Sequence, residues 1–288
     1  MAETDRRGLS IGLTSIGYDG EDADVLTGLP KPRIAPPPGT LVMTAEMCVA
    51  ASSARLRVLG STGATTALGR VLLCRVLEQG RLALAGPNTR RALHDALKLC
   101  RRHPLDLVLV DGAFSRIAPM AAVDVVVICT GPSRSLDCGE LAGETASIAG
   151  ILSLPRCPRG LSGPQRAASF ITPEDIDGWA PGNMVLCSPV DLLAAHEPAR
   201  TWASLLRAHS RGVRVFVRHP LPLAAAVINP TYPVETRNGG FEYCAVDSSL
   251  LRQSVEGAKR PVFDVLTDGL EPLVDAILRA GALMERVR

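Results

Sequence analysis

Hydrophobic residues along this chain fall in short apolar runs that alternate with helix-length amphipathic segments. Residues 106–110 and 125–129 are almost wholly apolar and predict two buried strands that lie next to each other. Residues 88–99 predict a helix capped by Asn88, because their apolar positions recur at helical spacing. Fully apolar strands separated by helices indicate a parallel sheet covered on both faces. The pattern therefore predicts an α/β fold with a mainly parallel central sheet and helices on both faces.

The N-terminal half contains more strand-like runs than such a sheet needs. Strands are predicted at residues 9–13, 41–45, 55–59, 71–77 and 81–85. The run 81–85 is expected to pair with 71–77 across Gly80. This half of the chain should therefore carry extra β structure.

The C-terminal half repeats the alternation of strands and helices. Helices are predicted at residues 135–154, 189–209 and from about 270, and strands at 184–187, 213–217, 224–228 and 262–265. A Pro/Gly/Arg-rich stretch, 154–164, interrupts the pattern. We expect a single α/β domain over residues 1–288, with 154–164 as the alternative boundary between a nucleotide-switch-like half, 1–154, and a second α/β half, 165–288.

Composition excludes several classes of function. Aromatic residues make up only 3% of the chain, which disfavours stacking on single-stranded nucleic acid. The 31 basic and 29 acidic residues leave a net charge of +2, without a long basic block that would steer the protein to DNA or anionic membranes. No apolar stretch approaches the roughly 18 residues of a membrane span, and the N-terminus is polar. We expect a cytoplasmic protein that binds neither nucleic acid nor membrane.

Cysteine usage agrees with a reducing compartment. The eight cysteines are scattered, and no Cys-x-x-Cys or zinc-ligand spacing occurs. Cys74, Cys129 and Cys187 lie inside apolar runs, where a thiol packs as a small hydrophobic group. These cysteines are predicted to be buried and unreactive.

The loop after the first predicted strand carries the most distinctive chemistry. Hydroxyls of Thr14 and Ser15 and carboxylates of Asp19 and Glu21 follow one another there, separated by glycines. Magnesium prefers such hard oxygen ligands and shares them with waters and phosphate oxygens. The loop is therefore a candidate site for a phosphate-bound magnesium ion, and a plain polar turn is the alternative.

Two strand ends are candidates for the same site. Asp111 follows the apolar run 106–110 in the form of a Walker B strand, which delivers a carboxylate to hold a metal-bound water. Thr130 ends the run 125–129, and its strand is expected to neighbour that of Asp111. Asp19 and Asp111 would then be the metal ligands, Asp111 would be the catalytic residue, and Thr130 would line a nucleotide or partner pocket. Simple turns after strands are the alternative for both.

The loop that normally binds nucleotide phosphates is missing from these residues. No Gly-Lys-Ser/Thr occurs in the 288 residues, so the lysine that reaches the β- and γ-phosphates is absent. The nearest substitute is residues 60–66 (GSTGATT), whose amides could form an anion-binding nest. A Gly/Thr-rich turn between strands is the favoured interpretation of that segment.

Several short motifs together resemble the small subunit of the lysine 5,6-aminomutase reactivase. The resemblance covers about residues 10–132, and the C-terminal half adds only the run 262–265 and its general pattern. Its motifs are residues 13–21 (LTSIGYDGE), 31–34 (KPRI), 39–46 (GTLVMTAE), 62–69 (TGATTALG), 85–87 (AGP) and 110–116 (VDGAFSR). Their order and spacing make coincidence improbable.

The resemblance implies an ATP- and magnesium-dependent, chaperone-like factor with a P-loop NTPase-like fold. Together with a larger reactivase subunit, such a factor restores a cobalamin-dependent aminomutase by exchanging damaged cobalamin. Members of the family begin with a strand and a Gly-Lys-Thr-Thr loop, and this sequence starts after the point where that loop would end. We expect either a gene start that lies further upstream or a natural variant with weakened or absent ATP hydrolysis.

Two other functions fit the same residues. The first is a non-catalytic interaction protein with a degenerate P-loop NTPase fold, which the missing lysine favours because phosphoryl transfer needs positioned positive charge. The second is an ATP-dependent ligase of the dethiobiotin synthetase type, which needs the same missing loop.

Overall fold

The computed structural model describes residues 2–19, 34–112, 117–161, 170–256, 260–264 and 266–287. These residues form two compact units, one made of Met1–Val123 and Pro233–Glu242 and the other of Asp124–Tyr232 and Tyr243–Arg288. The main division therefore falls between Val123 and Asp124, some way before the stretch 154–164 that the sequence suggests as a boundary. The protein is a mixed α/β structure, as the sequence predicts.

The first unit is built on a five-stranded sheet. Its elements are α1 (Ala2–Arg6), β1 (Ile11–Ser15), β2 (Tyr18–Asp19), β3 (Leu41–Ala45), α2 (Glu46–Ala50), β4 (Arg55–Thr66), β5 (Gly69–Glu78), β6 (Leu84–Ala85), α3 (Arg90–Cys100), β7 (Leu107–Asp111) and a 3₁₀ helix (Ala118–Ala122). The strand order is β4-β5-β3-β1-β7. The strands β3, β1 and β7 are parallel, whereas β4 and β5 are antiparallel additions. The sheet is thus mixed rather than mainly parallel, because the extra β structure joins it directly.

Two apolar clusters hold this sheet in place. On one face Leu41, Met43 and Leu73 pack against Leu93 and Leu97 of α3. The other face carries a second cluster that contains Ile11, Leu13, Val42, Cys74, Val76, Leu82 and Leu84. The helix α3 begins where Thr89 Oγ1 accepts a hydrogen bond from the Ala92 amide at 3.2 Å, so Thr89 rather than Asn88 is its cap.

The second unit contains two smaller parallel sheets, β14-β11-β8 and β10-β9. Its elements are β8 (Val126–Thr130), α4 (Cys138–Leu152), α5 (Pro173–Asp177), β9 (Gly182–Leu186), α6 (Val190–Leu193), α7 (Pro198–Ser210), β10 (Val213–Val217), β11 (Leu223–Ile228), α8 (Ser248–Val255), β14 (Val262–Asp264) and α9 (Glu271–Val287). A hairpin of β12 (Thr231–Glu235) and β13 (Phe241–Ala245) lies between β11 and α8 in sequence. A buried cluster joins Leu141 of α4 to Ala226, Ile228 and Leu251.

Two strand pairings differ from those predicted. The strand β7 pairs with β1, whereas β8 pairs with β11, so these consecutive strands belong to different sheets, and both are mostly half-buried rather than buried. The short strand β6 pairs with β2 instead of β5. Both errors have the same physical cause, because an apolar run indicates a strand but not which other strand it pairs with.

Residues 60–66 are neither a turn nor a phosphate nest. They continue β4, and Gly60, Ser61 and Thr65 pair with β5 through an irregular register. Thr62 Oγ1 donates to the carbonyl of Val71 at 2.9 Å, which bridges the widest irregularity. Strand pairing therefore overrides the turn preference of the glycines.

The predicted helix over 189–209 is two helices, α6 and α7. His196 between them has a left-handed backbone with a φ of 58°, and Pro198 begins α7. Proline is favoured in the first turn of a helix and cannot continue the one before it. The apolar periodicity runs through this break, so the periodicity alone does not reveal it.

The prediction of buried cysteines holds for Cys74 but not for Cys129, which is exposed, or for Cys187, which is half-buried. Burial raises the pKa of the Cys74 and Cys100 thiols to about 11. These two thiols are therefore protonated and unreactive at neutral pH. None of the described helices combines the length and the apolar character that crossing a bilayer requires.

Candidate functional site

The C-terminal ends of β1 and β7 meet at one edge of the five-stranded sheet. Ser15 is paired in register with Asp111, and the Ile16 amide donates to the Asp111 carbonyl at 2.7 Å, which extends the ladder beyond the strand. Asp111 itself is exposed. Ligands of open α/β sheets bind at this edge. The structure therefore brings Asp111 to the point where the loop after β1 begins.

The hydroxyls of Thr14 and Ser15 serve the protein's own backbone. Each residue is only 1% exposed. Thr14 Oγ1 donates to the Met43 carbonyl at 3.0 Å, and Ser15 Oγ donates to the Gly17 carbonyl at 2.6 Å. Ser15 Oγ also accepts the Gly86 amide at 3.3 Å. Buried hydroxyls with such partners fit a role in holding the loop better than a role as magnesium ligands.

The first residues of the loop are tied down by β6. Tyr18 and Asp19 pair with Ala85 and Leu84, and the Gly86 amide donates to the Gly17 carbonyl at 3.0 Å. The backbone of Asp19 is thus fixed four residues after the end of β1. For Asp19 only the backbone is described, and the predicted ligand Glu21 lies outside the described residues.

Thr44 holds β6 in turn. This fully buried residue of β3 donates through Oγ1 to the Ala83 carbonyl at 3.0 Å and accepts the Ala85 amide at 2.9 Å. This one hydroxyl therefore links β3 to β6 through the backbone on both sides of Leu84. The sequence does not reveal this role, because Thr44 shows there only as a hydroxyl inside the otherwise apolar run LVMTA, within the motif 39–46.

Gly86 occupies a position that admits no side chain. A Cβ atom built there would lie 2.1 Å from the Ser15 carbonyl oxygen and 2.3 Å from Thr14 Oγ1. Close approach of backbone to backbone is a common reason for glycine. Gly86 belongs to the segment 85–87, which the sequence marked through the resemblance without a structural reason.

Thr130 belongs to the second unit. It ends β8, where its carbonyl accepts the Asn229 amide at 2.9 Å. A Cβ atom on the next residue, Gly131, would lie 2.0 Å from the Asn229 carbonyl oxygen. The expectation that Thr130 ends the strand beside that of Asp111 is therefore wrong, since the two strands lie in different sheets.

The edge suits a metal ion only in part. Among the described residues, no three His, Cys, Asp or Glu side chains are close enough together to hold a metal ion. Asp111 is exposed and carries a carboxylate, a hard oxygen ligand of the type that magnesium takes, whereas Thr14 and Ser15 are buried. Asp111 is therefore the one candidate ligand whose described position fits the predicted metal site.

Comparison with protein-family models, curated protein sequences and solved structures finds no match to this chain. Function must therefore be inferred from the sheet edge described above and from the sequence resemblance. The strongest structural feature of that edge is the loop held by Thr44, Ser15 and Gly86 next to Asp111.

Proposed function

We propose that this chain is a cytoplasmic reactivating-factor subunit, with a P-loop NTPase-like fold, that serves a cobalamin-dependent lysine 5,6-aminomutase together with a larger subunit. The proposal is supported by the motifs of residues 10–132, which follow one another in the order of the reactivase small subunit. In this role the protein is chaperone-like and acts by changing its affinity for a partner enzyme.

One observation supports a nucleotide-responsive site more than any other. Ser15 and Asp111 are paired in register at the C-terminal ends of two parallel strands, and the chain leaves Ser15 into the Asp19 loop. A magnesium-bound water at Asp111 would lie where that loop starts. Asp19 and Glu21 would supply further carboxylates from the loop, while Thr14 and Ser15 position it.

Different residues would bind the nucleotide-bound magnesium ion and pass a movement of the loop on to the rest of the sheet. Asp111 and the loop carboxylates would hold a magnesium ion, which would supply positive charge between them and the phosphates of ATP, and the loop is the part of the chain that would respond. Because β2 is tied to β6 and β6 to Thr44, a shift of Asp19 is transmitted to the end of β3. A ligand changes the affinity for a partner protein only if it favours one of two states of such an element.

A non-catalytic interaction protein is the second candidate. It is favoured by the engaged hydroxyls of Thr14 and Ser15 and by the absence of Gly-Lys-Ser/Thr from the sequence. In that case the same edge holds a partner surface without nucleotide. The two candidates differ in whether ATP changes partner binding.

We expect these 288 residues to bind ATP·Mg²⁺ weakly. The lysine that contacts the β- and γ-phosphates is missing, and residues 60–66 are committed to pairing with β5. Calorimetric titration should give a dissociation constant near or above about 1 mM, or −4 kcal/mol. A value in the low micromolar range, about −8 kcal/mol, would show that another element supplies the phosphate contacts.

Affinity capture from the native host should recover the larger reactivase subunit or a cobalamin-dependent aminomutase. Asp111→Asn should weaken that recovery or make it insensitive to added ATP, because it removes the charge at the sheet edge. Asp106→Asn is the matched control, since Asp106 lies just before β7 at the opposite end of the strand. Its amide oxygen can still accept the Ser10 amide, which Asp106 Oδ2 accepts at 2.7 Å.

The outcomes separate the candidates. Recovery of either partner with an ATP response that only Asp111→Asn abolishes supports the reactivating factor. If the unmodified protein recovers a partner equally well with and without ATP, the result supports the interaction protein. If a folded bait recovers neither partner, the reactivase proposal is wrong.

A further inference from the structure

Two arginines face each other across the β4–β5 hairpin. Arg57 of β4 is paired directly with Arg75 of β5, so both side chains point to the same face of the sheet. Directly opposed residues of an antiparallel pair have Cβ atoms about 5 Å apart, and like charges at that position are destabilising. Arg57 is exposed and Arg75 is half-buried. A negative charge close to both guanidinium groups would relieve their repulsion.

The carboxylates of the neighbouring elements are engaged elsewhere. The elements α2, β5 and α3 carry one carboxylate each, and β3 and β4 carry none. These carboxylates form the ion pairs Glu46–Arg70 at 2.6 Å, Glu78–Arg55 at 3.0 Å and Asp95–Arg91 at 4.0 Å. Over residues 55–78 four arginines stand against one carboxylate, Glu78. Within the described part of the chain, the hairpin therefore has a surplus of positive charge centred on Arg57 and Arg75.

The same hairpin presents an open strand edge. In the described sheet β4 is the outermost strand and pairs only with β5. Its register is regular from Leu56 to Val58, and Leu59 is then an extra residue opposite β5. Val58 is 51% and Leu59 38% exposed, which is high for large apolar residues. An edge with unpaired backbone groups and apolar side chains accepts an added strand.

We propose that β4 binds an extended acidic segment of a partner protein as an additional strand. The residue opposite Arg57 shares its face of the sheet, so an Asp or Glu there completes a ladder with Arg57 and Arg75. The residues on either side point to the other face, where Leu56 and Val58 lie. The bound segment therefore has the pattern apolar–acidic–apolar. This surface is independent of the nucleotide-responsive edge proposed above.

A labelled ten-residue peptide with a central Val-Glu-Val tests the proposal by fluorescence anisotropy. Arg57→Gln should weaken binding about tenfold, because it removes a charge-assisted contact. Arg55→Gln is the matched control on the same strand, and it should change binding by about twofold or less, since Arg55 is exposed and already paired with Glu78. Circular dichroism of both variants should match that of the unmodified protein, because both side chains lie at the surface.

Two peptide variants test the mode of binding. Replacing the central Glu by Gln should weaken binding as much as Arg57→Gln does, and should have no further effect on that variant. N-methylation of the peptide backbone beside this residue should abolish binding, because it removes a donor of the added strand. Equal losses for Arg55→Gln and Arg57→Gln, unchanged binding of the methylated peptide, or preferential binding of a single-stranded oligonucleotide would each overturn the proposal, as would no peptide binding at all.

Discussion

Gly86→Ala is expected to destabilise the first unit by about 3 kcal/mol, at the upper end of the usual effect of overpacking. The new methyl group would lie 2.1 Å from the Ser15 carbonyl oxygen and 2.3 Å from Thr14 Oγ1, and the carbonyl is fixed in the sheet. Relief requires Gly86 to move away, which breaks its hydrogen bonds to Gly17 and Ser15. Urea denaturation should show the loss, and the melting temperature should fall by roughly 6–12 °C.

Gly60→Ala is the control for the same chemical change in the same unit. A Cβ atom at Gly60 meets nothing within 4 Å, so this variant should be as stable as the unmodified protein or slightly more stable. Gly86→Ala should also alter the environment of Tyr18, because β2 is held through β6. Equal stability of the two variants would show that the Ser15 carbonyl moves aside at little cost, and that Gly86 does not hold the loop.

The sequence predicts local structure well where one run of residues decides it. The predicted strands 41–45 and 213–217 coincide with β3 and β10, because each apolar run ends at a turn residue or a helix. The sequence fails where pairing with another strand decides. Residues 60–66 contain two glycines and carry a turn signal, yet pairing with residues 69–73 of the adjacent strand β5 makes them a strand.

The candidate site shows the same limit. Asp111 was predicted from an apolar strand that ends in a carboxylate, and its position beside the end of β1 agrees with that pattern. The same pattern predicts that the strand of Thr130 lies beside that of Asp111, but β8 pairs with β11 instead. Thr44 and Gly86 lie in two of the motifs, but their roles do not follow from the sequence because they depend on atoms about 40 and 70 residues away. Only the contact, and not the residue type, distinguishes them from an ordinary strand threonine and turn glycine.

Gly131→Ala is expected to destabilise the second unit by about 3 kcal/mol as well. Its Cβ atom would lie 2.0 Å from the Asn229 carbonyl oxygen. The neighbouring Asn229 amide is bonded to the Thr130 carbonyl at 2.9 Å, so the two segments cannot separate without losing the link between the ends of β8 and β11. Hydrogen exchange should then speed up at the amides of β11 while those of β1 keep their protection, because the two strands belong to different compact units.

Gly143→Ala separates this clash from the general effect of adding a methyl group. Gly143 lies exposed in α4, a Cβ atom there meets nothing within 4 Å, and alanine should stabilise the helix by about 1 kcal/mol. The two variants of the second unit should therefore change stability in opposite directions. If Gly131→Ala instead leaves β11 protected, the ends of β8 and β11 are not locked together.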